Sequence, residues 1–85
     1  MEKTIFDMMF PSAAAVVTPN DGTDLSTAGI IYVGGYGDVK VDTIAGNTVT
    51  FYGVPAGSYI PVRVKRVYST GTTATNMLVM SSKYA

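Results

Sequence analysis

The stretch Asp38-Val39-Lys40-Val41-Asp42-Thr43-Ile44-Ala45-Gly46-Asn47-Thr48-Val49-Thr50-Phe51-Tyr52 decides the fold. Val39, Val41 and Thr43 occupy every second position, and Val49 and Phe51 repeat the pattern after a short gap. A period of two marks a strand with one buried face, because successive side chains leave a pleated backbone on opposite sides. The gap, residues 42–48, contains Gly46 and Asn47, residue types that accept positive φ at low cost, so it reads as a hairpin loop. The two strands are therefore expected to pair antiparallel, with the Val39 strand beside the Phe51 strand.

The same punctuation continues on both sides of this hairpin. Runs rich in Val, Ile, Tyr, Phe and Thr lie between glycines and prolines at residues 14–18, 29–33, 59–68 and 75–80, which with 38–43 and 48–52 makes six strands. Ile60, Val62 and Val64 share a face by alternation. Gly53-Val54-Pro55-Ala56-Gly57 supplies a second turn, in which Pro55 fixes φ and Gly57 is free to take the left-handed conformation. Ser69-Thr70-Gly71-Thr72-Thr73 is a third connection. Pro61 cannot donate to a ladder, so the longest strand is an edge at that point or carries a bulge. The alternation breaks at Arg66-Val67, which predicts a β-bulge near Lys65. The expected class is all-β: a small antiparallel β-sandwich or barrel of about six short strands.

Helical spacing occurs only in the first ten residues, where Ile5 is followed by Met8 and Met9, and Phe6 by Phe10, before Pro11 ends the pattern. One or two turns cannot hold alone. Residues 1–12 therefore read as an N-terminal arm or short helix ahead of a β domain at 13–85. Large apolar side chains near a terminus, with adaptable methionines among them, suit docking on a neighbouring subunit or other partner surface through Ile5, Phe6, Met8, Met9 and Phe10.

Composition limits what such a domain does. Its 85 residues allow one core. Chains this short often rely on a disulfide or a structural metal, yet this one has no Cys and no His, so neither staple nor cofactor is expected. Association is the remaining route. Charged residues make up 14% of the chain, against a usual value of about 25%, so part of the surface is expected to face other protein in a homo-oligomer. A net charge of zero lacks the electrostatic footprint of a nucleic-acid partner. The longest apolar runs, 13–17 and 30–33, fall far short of the roughly 20 residues that span a bilayer. The N-terminus shows no signal-peptide pattern, consistent with intracellular synthesis.

The chemistry-bearing residues are few. The only Glu is Glu2, and Asp21, Asp24, Asp38 and Asp42 lie in or beside expected turns, where Asp bonds nearby backbone. Gly57-Ser58 has no His to activate the serine, so no catalytic residue is assigned and an enzyme is not expected. Asn20-Asp21-Gly22-Thr23-Asp24 lacks the closing Glu of a calcium loop. Gly34-Gly35-Tyr36-Gly37-Asp38 lacks the Lys and hydroxyl of a phosphate loop and leads into a strand, so it is a turn. Arg63, Lys65 and Arg66 form the one basic cluster, and an inter-subunit salt-bridge face meeting Asp38 or Asp42 of a neighbour is one reading of it. Six tyrosines also admit a small carbohydrate-binding module using Tyr36, Tyr52 or Tyr59, although strands and interfaces favour Tyr as well.

Five segments in this order carry a family resemblance: Val17-Thr18-Pro19-Asn20-Asp21-Gly22-Thr23-Asp24-Leu25, Tyr32-Val33-Gly34-Gly35-Tyr36-Gly37-Asp38-Val39, Val49-Thr50-Phe51-Tyr52-Gly53-Val54-Pro55-Ala56-Gly57, Pro61-Val62-Arg63-Val64-Lys65-Arg66-Val67 and Thr70-Gly71-Thr72-Thr73-Ala74-Thr75. Together they make the chain resemble the spike base proteins on the heads of gene transfer agents and related tailed phages. The resemblance implies a non-enzymatic, virion-associated β domain that oligomerises, as a pentamer at capsid vertices, and joins the capsid protein to a spike or fibre protein. A tail or fibre adaptor is the neighbouring alternative. The arm lies outside the resemblance, and Ser26-Thr27 stands where the family pattern has a proline and a basic residue.

Overall fold

A computed structural model describes residues 12–81. They form β1 (Ala13–Val16), β2 (Gly29–Val33), β3 (Gly37–Thr43), β4 (Thr48–Val54), β5 (Ser58–Val67) and β6 (Leu78–Ser81). All six join one antiparallel sheet in the order β1-β6-β2-β5-β3-β4. The all-β class and the six short antiparallel strands are as the alternation predicts. The expected N-terminal helix or arm, with Ile5, Phe6, Met8, Met9 and Phe10, lies outside the described residues.

The β3–β4 hairpin forms antiparallel as expected, and its register sets Val39 opposite Phe51 and Val41 opposite Val49. Its loop closes when the Gly46 N–H donates to the Thr43 carbonyl (2.9 Å) and the Thr43 N–H donates to the Asn47 carbonyl (3.0 Å). Gly46 takes a φ of 96°, which Asn47 does not share. The Asn47 side-chain oxygen instead accepts the Thr43 hydroxyl proton, so its amide ties the loop shut. In the next turn Gly57 has a φ of 85° and the Ser58 N–H donates to the Pro55 carbonyl, the type II arrangement.

β5 carries two irregularities, both where the sequence places them. From Ile60 to Val64 it advances four residues while β2 advances only two, from Ile31 to Gly29, so the extra length falls on the segment containing Pro61. From Val64 to Arg66 it advances two residues while β3 advances one, from Thr43 to Asp42, which puts a bulge at Lys65. That bulge turns Val67 back to the inside, and Val64 and Val67 are both fully buried although three positions apart.

The core lies on one face of the sheet. Ile31 and Val33 of β2, Val39 and Val41 of β3, and Ile60, Val64 and Val67 of β5 are all no more than 1% exposed. Burying side chains of this size is worth roughly 1.5–3 kcal/mol each, and this is the main stabilising term. Val54 of β4, Val79 of β6, Val17 from the β1–β2 connection, and Ala74 and Met77 from the β5–β6 connection complete the cluster. The second connection is held against residues 34–38 by backbone bonds, with the Gly34 N–H donating to Asn76 O (3.0 Å), Gly35 N–H to Thr75 O (2.8 Å) and Thr73 N–H to Asp38 O (2.8 Å). Asn76 takes a positive φ of 53° here, so β6 starts at Leu78 rather than at Thr75 as the residue types suggest. The glycines at 34 and 37 are the condition for this contact, since their nearest neighbours are the backbone atoms of Asn76 and Ala74 and leave no room for a Cβ, while at Gly35 a Cβ would meet the Thr75 side chain.

Candidate interaction surface

Long-range hydrogen bonds bind the carboxylates of the described residues into the fold. The Asp21 carboxylate accepts from the N–H groups of Ser69 (2.8 Å) and Thr70 (2.9 Å) and from the Thr70 hydroxyl (2.6 Å), clamping the β1–β2 connection to the chain just after β5. Asp24 pairs with Arg66 at 2.8 Å, and the same guanidinium donates to the Asp21 carbonyl. Asp42 accepts from the hydroxyls of Thr48 and Tyr68. The Tyr68 ring receives the Lys40 ammonium 4.9 Å from its centre and the Arg66 guanidinium at 5.9 Å. Asp38 accepts the Gly53 N–H (2.9 Å) and so fastens β4 to β3. Among the described residues no three His, Cys, Asp or Glu side chains lie together in a metal-holding group.

Electrostatics follow these bonds. The Thr70 hydroxyl and backbone N–H, helped by Ser69, hold the Asp21 carboxyl down to about 2. The Thr48 hydroxyl, then the Tyr68 hydroxyl and the nearby cations Arg66 and Lys65, depress Asp42. Asp24 raises Arg66. A carboxyl depressed in the folded state stabilises the fold fully above its unfolded pKa, about 4, and that contribution is lost as the pH falls through the folded value. The domain is therefore expected to lose stability between about pH 4 and pH 2. Asp21→Ala, which deletes three acceptor contacts, is expected to lower the melting temperature. Asp21→Asn keeps one oxygen for the two backbone donors, so its loss should be smaller and the acid slope shallower. Thermal unfolding followed from pH 7 to pH 2 checks this, and an unchanged acid slope in both variants would count against the clamp.

The structure thus separates the residues singled out in the sequence. Asp38, Asp42 and Arg66 make bonds inside the chain, and Arg66 finds its carboxylate in Asp24, a partner 42 positions away that no local pattern announces. Arg63 is exposed, and the one salt bridge among the described residues does not involve it. Tyr36, Tyr52 and Tyr59 are exposed, Tyr59 resting against Tyr32 with ring centres 5.6 Å apart.

Two apolar features were not legible as a surface. The first is β1, an edge strand exposed at all four positions, with Val16 78% exposed. An uncovered apolar edge is a ready template for another chain. The second is an open groove of about 700 Å³ at the opposite side of the sheet, between the β3–β4 hairpin and β5, lined by Ile44, Val49, Phe51, Val62 and Arg63 among others. Val49 and Phe51 stand directly opposite Val41 and Val39, so they share the core face. They are only partly buried, and the groove is where that face runs beyond its cover.

No protein-family model and no curated protein sequence matches the chain. A solved structure does: the capsid of a native GTA (gene transfer agent) particle computed with C5 symmetry contains a chain with 38% sequence identity to this one, at a TM-score of 0.74, over 84% of this chain and 83% of that chain. The chain belongs to this family of head-associated proteins of gene transfer agents and phages. The match runs through most of both chains, so what this head-associated family shares is the β domain as a unit and not an isolated hairpin.

Proposed function

We propose that the protein is a virion structural subunit, a head spike base or vertex decoration protein that self-associates and anchors a spike or fibre to the capsid. The observation that carries this reading is the 38% identity, over 84% of the chain, to a component of a gene transfer agent capsid. The uncovered β1 edge and the uncovered end of the core face support association, because both leave apolar surface that a lone domain would keep in water. The sheet ends differently at its two edges, so a repeated contact between them is head-to-tail and closes into a ring when the rotation allows. A pentamer fits a site on a five-fold axis. Tyr36, Tyr52 and Tyr59 offer contact area of the type enriched at protein interfaces, suited to a spike or fibre. The role is non-catalytic: assembly and bridging through β surfaces, with no cofactor.

Native mass spectrometry at micromolar concentration is expected to give a closed oligomer, with five copies as the leading species. Electron microscopy of particles carrying the tagged protein is expected to place it on the head, at the vertices. A monomer that fails to join particles would sink the proposal, and a tail position would favour the adaptor alternative.

A further inference from the structure

We infer that copies of this chain meet edge to edge, β1 of one pairing antiparallel with β4 of the next, so that a single sheet runs from copy to copy. The inference rests on the self-association in the proposed function and names the strands that align it. It begins with charge. Edge strands of soluble proteins are commonly guarded by Lys, other charges or Pro. Here every charged residue borne by a strand lies on β3 (Asp38, Lys40, Asp42) or β5 (Arg63, Lys65, Arg66), which have neighbours on both sides. β1 and β4 carry neither a charge nor a proline, and among the described residues no strand pairs with the outer side of either.

Direction and register then select the partner. Every neighbouring pair in the six-strand order is antiparallel, so the two edge strands run in opposite directions, and a copy set beside another continues the alternation. The Val17 N–H donates to the Met77 carbonyl in the register of β1 with β6, so Ala13 and Ala15 turn their backbone groups to β6 while Ala14 and Val16 turn theirs outward. Ser12, which bonds Ser81 out of that register, lies beyond the ladder. The Thr43 N–H donates to the Asn47 carbonyl in the register of β3 with β4, so Val49 and Phe51 face β3 while Thr48, Thr50 and Tyr52 face outward. Gly53, at a φ of 63° and with its N–H on Asp38, ends the free run. Pairing Ala14 with Tyr52 and Val16 with Thr50 satisfies the outward groups of β1. A slip one way would set Ala15 against Gly53, and a slip the other way would set Tyr52 against Ser12, outside the strand.

Side chains agree with this register. Ala15 stands opposite Val79 and Phe51 opposite Val39, so both lie on the core face, and the pairing puts the small one against the large one. On the other face Val16 and Tyr52, 78% and 79% exposed, become diagonal neighbours. Two β1 strands paired about a two-fold axis would instead set small side chains against small ones and leave β4 open. So short a pairing aligns the copies and leaves part of their affinity to the surfaces beside it.

The chain has no cysteine, which makes the test direct. Full-length protein carrying both Val16→Cys and Thr50→Cys is oxidised mildly and run without reductant. The control carries Ala15→Cys and Thr50→Cys, whose side chains leave the joined sheet on opposite faces. Within one chain β1 and β4 are opposite edges, five strand spacings or roughly 24 Å apart, so a disulfide between these sites joins two chains. Docking holds the first pair near millimolar effective concentration, and at micromolar protein a ladder of covalent multimers is expected on the order of a hundredfold faster than in the control. Val16→Lys with Thr50→Lys sets like charges opposite each other and should weaken association severalfold against Val16→Lys with Thr50→Glu. Three results would overturn the inference: equal disulfide rates in the two variants, native oligomers in which the cysteines at 16 and 50 stay reduced, or capture of Val16→Cys by the capsid or spike protein in particles. The second leaves self-association standing and the third leaves the head location standing, which native mass spectrometry and microscopy test separately.

Discussion

Gly37→Ala is expected to destabilise the domain by about 3 kcal/mol, at the upper end of overpacking costs, a large share of the roughly 4–13 kcal/mol typical of a chain this long. A Cβ on Gly37 would stand 2.4 Å from the Ala74 nitrogen and 2.6 Å from its Cα. Both obstacles are backbone, so no rotamer relieves them. Nor is the opposing segment free to retreat: Thr73 and Ala74 donate to the Asp38 carbonyl, the Thr73 hydroxyl accepts the Asp38 N–H at 2.9 Å, and Ala74 is buried in the core. Gly22→Ala is the matched control, because a Cβ there meets nothing closer than the Asn20 side-chain oxygen at 3.7 Å, an ordinary contact. Urea unfolding of the two variants checks the contrast. Equal midpoints would mean that the 73–76 segment can detach without cost to the core.

The glycine run also shows which parts of this fold are legible in a sequence. Local periodicity carries the strands: Val39 and Val41 alternate, and they are fully buried. Breaks in periodicity carry the bulges, since Pro61 and the Arg66-Val67 step fall where β5 gains residues against its neighbours. A glycine cluster announces a special backbone position without saying whether the cause is a turn or a close approach. Here Gly34 and Gly37 make room for residues 74–76, contacts formed across about half the chain length. Polar partners are the least legible part. Asp21 and Asp24 look like ordinary turn residues, and their partners, Thr70 and Arg66, sit 49 and 42 positions away. The groove was invisible for a further reason: Val49, Phe51 and Val62 have the pattern of core residues, and only the arrangement of cover above them leaves them partly open. Alternation assigns a face of the sheet, not what lies over it.

Deleting residues 1–10 is expected to leave the β domain folded and to abolish its incorporation into particles. Among the described residues β1 pairs with β6 from Ala13 onward, and the buried cluster begins at Val17. Thermal unfolding of the truncated chain should therefore fall within a few degrees of the full-length protein, the shift that goes with less than about 1 kcal/mol in a domain of this size. Association should suffer far more. Loss of Ile5, Phe6, Met8, Met9 and Phe10 removes five large apolar side chains, each worth roughly 1.5–3 kcal/mol when buried. The ordering cost of the segment, about 1–2 kcal/mol per residue, offsets much of that gain, but each 1.4 kcal/mol of net loss weakens association about tenfold, so a net loss of a few kcal/mol is expected to dissociate the ring at micromolar concentration. Native mass spectrometry of the truncated chain should then show monomer, and particles made with it should lack the vertex density. A truncated chain that unfolds would assign the segment to the domain's own core. A truncated chain that still forms rings but no longer binds capsids would assign the segment to the capsid contact and not to the contact between copies.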